Sequence, residues 1–320
     1  MIGFRYHLVS LAAIFLALAG GIALGAGPLQ DPVGGQLAAA SPDDGSDQEL
    51  EEEVRSAREF SDFSSAYSAG TAGLVIGDRL DGTSVSLLLL PGADPAVADD
   101  LAGDLGTAGA RITSTARLTK ELLDPAQRQL AESLVEGLVD SVDGVEIPQS
   151  ASGYERAGSA LGHALVTDKP ADAAGGGAAD SILAAFEEAG FLDVKGNVER
   201  RASLALLVAG DPPNDAPEGQ AEVVSELATG INGVGGGTVV AGTTGSAVTG
   251  AVAAVRASDT RTGVSTVDGI EIIAGRLAAV LALVEQSAGG TGDYGPSGAD
   301  GAVPPPRSLG AARAGGGADR

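Results

Sequence analysis

Short apolar runs that alternate with helical segments constrain this chain more than any other feature. The run SVSLLLLPGAD (84–94) ends at a Pro-Gly pair, and ASLALLVAGDPP (202–213) has the same form with a Gly-Asp-Pro end. Runs of this length that are apolar throughout are typical of strands buried on both faces of a parallel sheet. Because a segment of helical character follows each run, the pattern predicts an α/β domain with a mostly parallel sheet.

Two Asp-Pro dipeptides mark helix starts in the first half of this domain, at the beginning of segments 94–109 and 124–142. An N-cap aspartate accepts hydrogen bonds from the first N–H groups of a helix, and proline suits its first turn. Gly109 is expected to end the first helix, and ARITSTARLT (110–119) alternates like a second strand. Strand, helix and strand in this order predict a βαβ unit with parallel pairing and a right-handed crossover.

The alternation continues to residue 287. Further helices are predicted over 153–167, 180–194, 219–233, 246–258 and 269–287, with a short strand at 237–242. Together these elements predict a Rossmann-like three-layer domain over residues 70–287, with helices on both faces of the sheet. Residues 288–320 contain three consecutive prolines and few apolar side chains, so they are predicted to be a disordered tail.

An uncharged apolar stretch of twenty residues occupies positions 8–27, after a basic tip at 1–7. As a helix it would be about 30 Å long, which matches the hydrocarbon thickness of a bilayer. Arg5 precedes it and acidic residues follow it, so the positive-inside rule leaves the N-terminus in the cytoplasm and exports the rest. The alternative is a cleaved signal peptide, whose apolar region is usually shorter. Both readings place the main domain outside the cytoplasm, and the first predicts a single-pass membrane protein.

Between this anchor and the α/β domain, the sequence predicts two further segments. Residues 28–48 are rich in Pro, Gly, Ser and Asp and are expected to be a flexible linker. Residues 49–69 show apolar side chains at helical spacing and an acidic start, which predicts a short amphipathic helix. Within the anchor, Gly21 and Gly25 share one helix face where two backbones could approach closely, so a homo-oligomer through this helix is possible.

Composition excludes several classes of function. The chain has 19 Lys and Arg against 43 Asp and Glu, a net charge of −24, and this charge repels nucleic acids. Cysteine is absent, which excludes disulfides, thiolate metal sites and a catalytic thiol. Histidine occurs only at His7 and His163, so a soft-metal site has few side chains to use. No metal site and no cofactor is predicted.

The candidate motifs for catalysis are weak, and the chain is not expected to be an enzyme. GTTGSAVTG (242–250) follows a strand, yet it matches neither dinucleotide-binding nor P-loop spacing. His163 lies in a predicted helix as a lone imidazole, and the acidic groups on predicted helices suit a solvated surface. An exported hydrolase or sugar-phosphate-binding enzyme would need polar groups gathered at the strand ends around Asp94, Asp211 and Thr243.

Two sets of residues together point to a known family. In the N-terminal stretch they include Arg5, His7, Ser10, Leu11, Phe15, Gly21 and Gly25. Further along they are the segments ADPAVADDLAGDLGTAGARITSTARLTKELLD, STVDGIEIIAGRLAAVLAL and GDYGPSG, in this order. With this head and these blocks, the chain resembles the actinobacterial copper transport protein B (MctB) family. The resemblance spans roughly residues 2–298.

This resemblance implies a membrane-associated envelope protein in copper homeostasis, with copper ions and the lipid bilayer as partners. The family is described as a pore that aids copper efflux. Since one helix per chain cannot form a channel alone, a pore would require several copies. An envelope scaffold with no transport activity of its own is the alternative, because the acidic helix and the anchor could recruit partners.

Overall fold

The computed structural model describes residues 44–142, 147–148, 150–169, 174, 176–194, 198–258 and 263–306. The chain divides into two compact units, Met1–Arg58 and Glu59–Arg320. In the first unit, the description covers part of helix α1 (Asp44–Ile76). The second unit contains the remainder of that helix and a seven-stranded sheet with helices on both faces.

Several predictions fall outside the described residues. These are the basic tip (1–7), the anchor (8–27), the linker as far as residue 43 and the tail from residue 307. Within the described ranges, none of the helices combines the length and the apolar character that crossing a membrane requires.

Helix α1 is longer than the amphipathic helix predicted over 49–69. It has 33 residues and includes positions 44–48, which were expected to belong to the linker. At its other end, Ala72, Val75 and Ile76 pack against the core below one face of the sheet. These tertiary contacts stabilise the last turns, which intrinsic helix propensity alone does not support.

The sheet has the strand order β3-β2-β1-β4-β5-β6-β7. The strands are β1 (Ser84–Leu89), β2 (Arg111–Leu118), β3 (Leu192–Val194), β4 (Leu204–Ala209), β5 (Thr238–Gly242), β6 (Val264–Asp268) and β7 (Asp293–Tyr294). All neighbouring pairs are parallel except β2 and β3, which are antiparallel. The predicted α/β class with a mostly parallel sheet is therefore confirmed.

Helices cover both faces of this sheet. They are α2 (Pro95–Thr107), α3 (Arg128–Ser141), α4 (Gly153–Leu165), α5 (Gly176–Glu188), α6 (Gln220–Asn232), α7 (Thr244–Thr249), α8 (Ala251–Ala257) and α9 (Ile273–Ser287). The end of α1, with α2 and α9, packs on one face, while α3, α4, α5, α6 and α8 pack on the other. Along β1, Leu87 and Leu89 point to the first core and Leu88 to the second, which explains why this strand is apolar throughout.

Three strands were not predicted from the sequence. β3 is an antiparallel edge strand that follows α5, where a single helix over 180–194 was expected. β6, between β5 and β7, contains Ser265, Thr266 and Asp268, which are all buried. These polar residues hid the strand from the sequence analysis. β7 pairs with β6 inside the segment predicted as a disordered tail, so that prediction is wrong for residues 293–294.

The predicted helix over 246–258 consists of two short helices. Gly250 adopts an extended conformation (φ −106°, ψ −155°) between α7 and α8. The Ser246 hydroxyl accepts a hydrogen bond from the Val252 N–H across this break, at 3.3 Å. In an unbroken helix, the Val252 N–H would bind a backbone carbonyl one turn earlier. Here the Ser246 side chain takes the place of that carbonyl.

Candidate functional site

A cleft lies at the carboxyl edge of the sheet, where the chain order reverses between the neighbouring strands β1 and β4. In doubly wound sheets, this switch point is the usual position for ligands. The cleft encloses about 220 Å³ and is lined by residues of the loops that follow β1, β4, β5 and β6. Its polar lining consists of Asp94, Asp211, Thr243 and Glu271.

The sequence analysis named three of these four residues, as the place where an exported hydrolase or sugar-phosphate-binding enzyme would need polar groups. The structure brings Asp94, Asp211 and Thr243 together in one cavity. Glu271 was not singled out. Glu271 follows β6, and that position could have identified it, but β6 itself was not predicted from the sequence.

The loops that form this cleft approach each other through glycines. A Cβ atom at Gly210 would lie 1.8 Å from the carbonyl oxygen of Gly92, so the loops after β1 and β4 touch backbone to backbone. Gly92 itself has φ +86°, in the left-handed region that glycine adopts without strain. The base of the cleft is therefore rigid and leaves no room for a side chain at position 210.

The carboxylates of the cleft bind the protein's own hydrogen-bond donors. Asp211 Oδ1 accepts a hydrogen bond from the Thr243 hydroxyl at 2.5 Å. Glu271 accepts one from the Thr244 N–H at 3.1 Å and another from the Thr244 hydroxyl. Asp94 caps α2 by accepting the Ala96 N–H at 2.8 Å. Internal carboxylates thus occupy the positions around the helix starts where a phosphate would bind in a nucleotide-binding sheet.

This arrangement bears on the glycine turn that follows β5. The strand, turn and helix predicted for GTTGSAVTG are present, as β5 and α7. A Cβ atom at Gly245 would lie 2.3 Å from Asp211 Oδ1, so an acidic side chain covers the turn. Because neither lysine nor arginine lines the cleft, a phosphate there would meet negative charge.

In the part of the chain that the structure describes, no group of three or more His, Cys, Asp or Glu side chains is arranged to hold a metal ion. Negative charge alone attracts cations, but it supplies neither the geometry nor the selectivity of a metal site.

A second polar cluster holds two of the quoted sequence blocks together. Asp268, at the end of β6, is fully buried and pairs with Arg256 at 2.8 Å. The Ser297 hydroxyl, from the block GDYGPSG, donates to Asp268 Oδ2 at 2.9 Å, and Arg256 also donates to the Tyr294 carbonyl. Arg256 and Asp268 thereby fix the loop after β7. The sequence analysis did not identify these residues, because they are distant along the chain.

His163 lies on α4 and is half-buried. It lines a surface cavity of about 360 Å³ with Lys169 and Arg201, at the edge opposite the cleft. The structure does not bring it together with Asp94, Asp211 or Glu271.

Two acidic residues of α2 pair with one arginine, although the sequence suggested a solvated acidic surface. Arg276 lies 3.1 Å from both Asp100 and Asp104. Burial raises the pKa of the Asp104 carboxyl, and the neighbouring Arg276 opposes this shift. These two ion pairs join α2 to α9.

The residues of the predicted anchor and family head cannot be placed in this geometry. Arg5, His7, Ser10, Leu11, Phe15, Gly21 and Gly25 all lie outside the described residues. Self-association through Gly21 and Gly25 stays a prediction.

Comparison with known proteins gives a consistent result. Residues 1–305 match the model of a protein family described as "Copper transport outer membrane protein, MctB". The chain is 31% identical over 305 residues to "Copper transporter MctB" of Mycobacterium tuberculosis (strain ATCC 25618 / H37Rv), with 92% of this chain and 96% of that protein covered. The protein of the same name from Mycobacterium leprae (strain TN) is 30% identical over 315 residues, with the same coverage. On this evidence the chain belongs to the MctB family.

Proposed function

We propose that this chain acts in copper transport or copper homeostasis as a membrane-anchored protein of the cell envelope. The observation that carries the proposal is the family match over residues 1–305, which includes the N-terminal head as well as the α/β domain. Copper enters as cargo and not as a resident cofactor.

The α/β domain supports a role without a tight copper site. Within the described ranges no cluster of metal-binding side chains is present, and the whole chain has no cysteine. Copper(I) prefers soft sulfur ligands and copper(II) prefers imidazole, whereas the side chains of the cleft offer only carboxylates and a hydroxyl. The net charge of −24 would raise the local concentration of cations. The domain is therefore proposed to act on copper flux through assembly or partner contacts.

The anchor is the second element of the proposal. Residues 8–27 would cross one membrane with the N-terminus in the cytoplasm, which places the α/β domain on the other side. A pore would need several copies, since each chain supplies one such segment, and the face of Gly21 and Gly25 is one candidate contact.

We also propose that the chain is not an enzyme. The cleft at the switch point is the natural active-site position of this fold, yet its carboxylates cap helices and bind threonines of the protein itself. Its lining includes no histidine, cysteine, serine or lysine. A hydrolase or sugar-phosphate enzyme would need a base, a nucleophile or an anion-binding group here that faces a substrate, whereas the carboxylates and threonines of this cleft are hydrogen-bonded to each other and to helix starts.

A specific observation favours an envelope scaffold as the second candidate. Helix α1 exposes large apolar side chains, among them Phe60, Phe63 and Tyr67. Exposed apolar patches of this kind mark surfaces that bind other proteins. In a scaffold, any effect on copper would be indirect.

Complementation of a deletion strain tests the leading proposal. The strain without the gene should lose copper tolerance and accumulate cell copper, and the full chain should restore both. Leu16→Arg in the apolar stretch should abolish the rescue, because a central arginine costs about 2.5–3.5 kcal/mol on membrane insertion. The matched control is Leu37→Arg in the predicted linker, which should rescue fully. Unchanged copper tolerance in the deletion strain would contradict the copper role.

Liposome flux separates transport from scaffolding. Full-length protein should conduct copper ions, and protein with residues 8–27 deleted should not. The scaffold would be favoured if neither form conducts copper ions and if crosslinking captures a stable set of envelope proteins that does not change with copper.

A further inference from the structure

We infer that α1 is a self-pairing helix, on which a second copy of this chain covers an exposed aromatic stripe. The stripe consists of Phe60, Phe63, Tyr67 and Leu74, which are 72%, 67%, 64% and 85% exposed. The inference is independent of copper and of the proposed anchor.

The spacing of these residues is that of a helix–helix seam. Intervals of three, four and seven residues place all four on one face, as the core positions of a coiled coil are placed. The rings of Phe63 and Tyr67 already contact each other, with centroids 6.3 Å apart. The chain has only 6 Phe, 4 Tyr and no Trp, so three aromatic residues on one exposed face are a large share.

None of the residues that the structure describes covers this face. In the last turns of α1, the side chains that pack against the core are Ala72, Val75 and Ile76. Leu74 lies between them in sequence but points away and is the most exposed large apolar residue among those described. The stripe and the packed face are therefore different sides of the same helix.

The stripe carries both projections and hollows. A Cβ atom at Gly70 or Gly73 would meet no atom within 4 Å, so both positions are open to solvent and carry no side chain. A ring of a second copy can pack over such a position, as knobs enter holes between paired helices. A surface that presents both shapes is complementary to itself, which is the requirement for a two-fold contact.

Charge also permits a second copy here, although each chain carries −24. The positions that flank the seam are Glu59, Ser64, Ala66, Thr71 and Gly73. Only the first of these is charged, so pairing through the stripe brings few like charges into contact. An acidic chain that pairs elsewhere on its surface would face stronger repulsion.

The area of the stripe reaches the lower bound for a specific pair. An aromatic side chain buries about 150–250 Å², so the observed exposures give roughly 500 Å² of apolar surface per copy. Two copies would bury about 1,000 Å² in total, near the lower bound for a specific interface.

Cysteine crosslinking of the full chain in mild detergent tests the inference. The protein contains no cysteine, so a single introduced thiol reports without background. Tyr67 lies at the middle of the stripe, so a two-fold pair brings its two copies together whichever way the helices run. Tyr67→Cys should form a disulfide-linked dimer on mild oxidation. Ser65→Cys, about 200° away around the helix, should not. Equal crosslinking at both positions would overturn the inference.

Molar mass measurement gives an independent test. The wild-type chain should be dimeric at micromolar concentration, and Phe60→Ser with Phe63→Ser should raise the dissociation constant at least about 100-fold. Val248→Ser removes another exposed apolar residue, outside α1, and should leave the mass unchanged. Circular dichroism checks that each variant is folded. A monomeric wild-type chain would overturn the inference.

A final variant separates this contact from the predicted anchor contact. Gly21→Leu with Gly25→Leu should leave crosslinking at position 67 intact if the stripe pairs by itself. Loss of the crosslink in that variant would assign the pairing to the anchor and overturn the inference.

Discussion

Arg256 and Asp268 form an ion pair in which Nη2 and Oδ1 lie 2.8 Å apart, and the Asp268 side chain is fully buried. The same guanidinium donates to Thr266 Oγ1, to the Ser297 hydroxyl and to the Tyr294 carbonyl. A buried carboxylate persists only when its charge is paired and hydrogen-bonded. This arginine therefore holds β6 and the loop after β7 in one arrangement.

Removal of this arginine should destabilise the domain strongly. We expect Arg256→Met to lower the free energy of unfolding by about 3–5 kcal/mol, because Asp268 stays buried without its partner. Urea unfolding followed by circular dichroism measures the change. The control Arg58→Met, at an exposed position of α1, should stay within about 0.5 kcal/mol of wild type. A loss below about 1 kcal/mol for Arg256→Met would show that the pair contributes little.

The contact between α4 and α6 should not tolerate a side chain at Gly158. A Cβ atom there would lie 2.2 Å from the Leu227 carbonyl oxygen, so Gly158→Ala forces the helices apart. We expect a loss of about 1–3 kcal/mol, as in other overpacked cores. Gly103→Ala is the matched control, since it lies in α2 with no atom within 4 Å of the new Cβ. That variant should gain about 0.5–1 kcal/mol from helix propensity. Equal effects in both would contradict the close approach.

Tyr154 should make stability depend on alkaline pH. Burial raises the pKa of Tyr154 to about 12, although the neighbouring Arg128 opposes the shift. The unfolded chain loses this proton near pH 10, before the folded chain does, so stability should fall as the pH rises from about 10 to about 12. Below pH 10 the contribution is fully present.

The variant Tyr154→Phe isolates this effect. At neutral pH it loses the hydrogen bond from the hydroxyl to the Asp124 carbonyl, 2.5 Å long, at a cost of about 1 kcal/mol. Above pH 10 its unfolding midpoint in urea should decline less steeply than that of wild type. Parallel declines for the two proteins would place the titrating groups elsewhere.

Copper should stabilise the folded α/β domain only weakly. A site in the folded state would add about 2.7 kcal/mol at a hundredfold excess of ligand over its dissociation constant. We expect a change below about 0.5 kcal/mol for the full chain in 10 µM Cu²⁺, on the order of experimental error. His163→Gln is the control and should behave as wild type does. If Cu²⁺ stabilises the wild-type chain and His163→Gln abolishes that stabilisation, the result would reveal a copper site at His163.

Some elements of this fold could be predicted from the sequence and others could not, depending on whether local or distant contacts stabilise them. β1 and β4 were predicted because both of their faces are buried, which makes their sequences apolar throughout. α2 was predicted with its Asp94 cap and its Pro95, both of which act within one turn of helix. β6 was not predicted, because its Ser265 and Thr266 are polar. Their hydroxyls can be buried since they form hydrogen bonds with Gln286 and Asp293, which belong to other elements.

The candidate site shows the same division. Asp94, Asp211 and Thr243 could be predicted because each follows an apolar strand, and parallel strands end at one edge of the sheet. That their carboxylates bind the protein's own threonines and helix starts could not be read from spacing. It depends on the distances between loops whose contacting residues are 27 and 32 positions apart.

By itself, the order of residues specified alternating strands and helices, capped helix starts and a long uncharged head, because burial, capping and charge act locally along a chain. Only folding in three dimensions brought Arg256 to Asp268, joined β7 to the sheet and left the aromatic side of α1 uncovered. Those outcomes depend on which distant segments become neighbours, and no local preference encodes that.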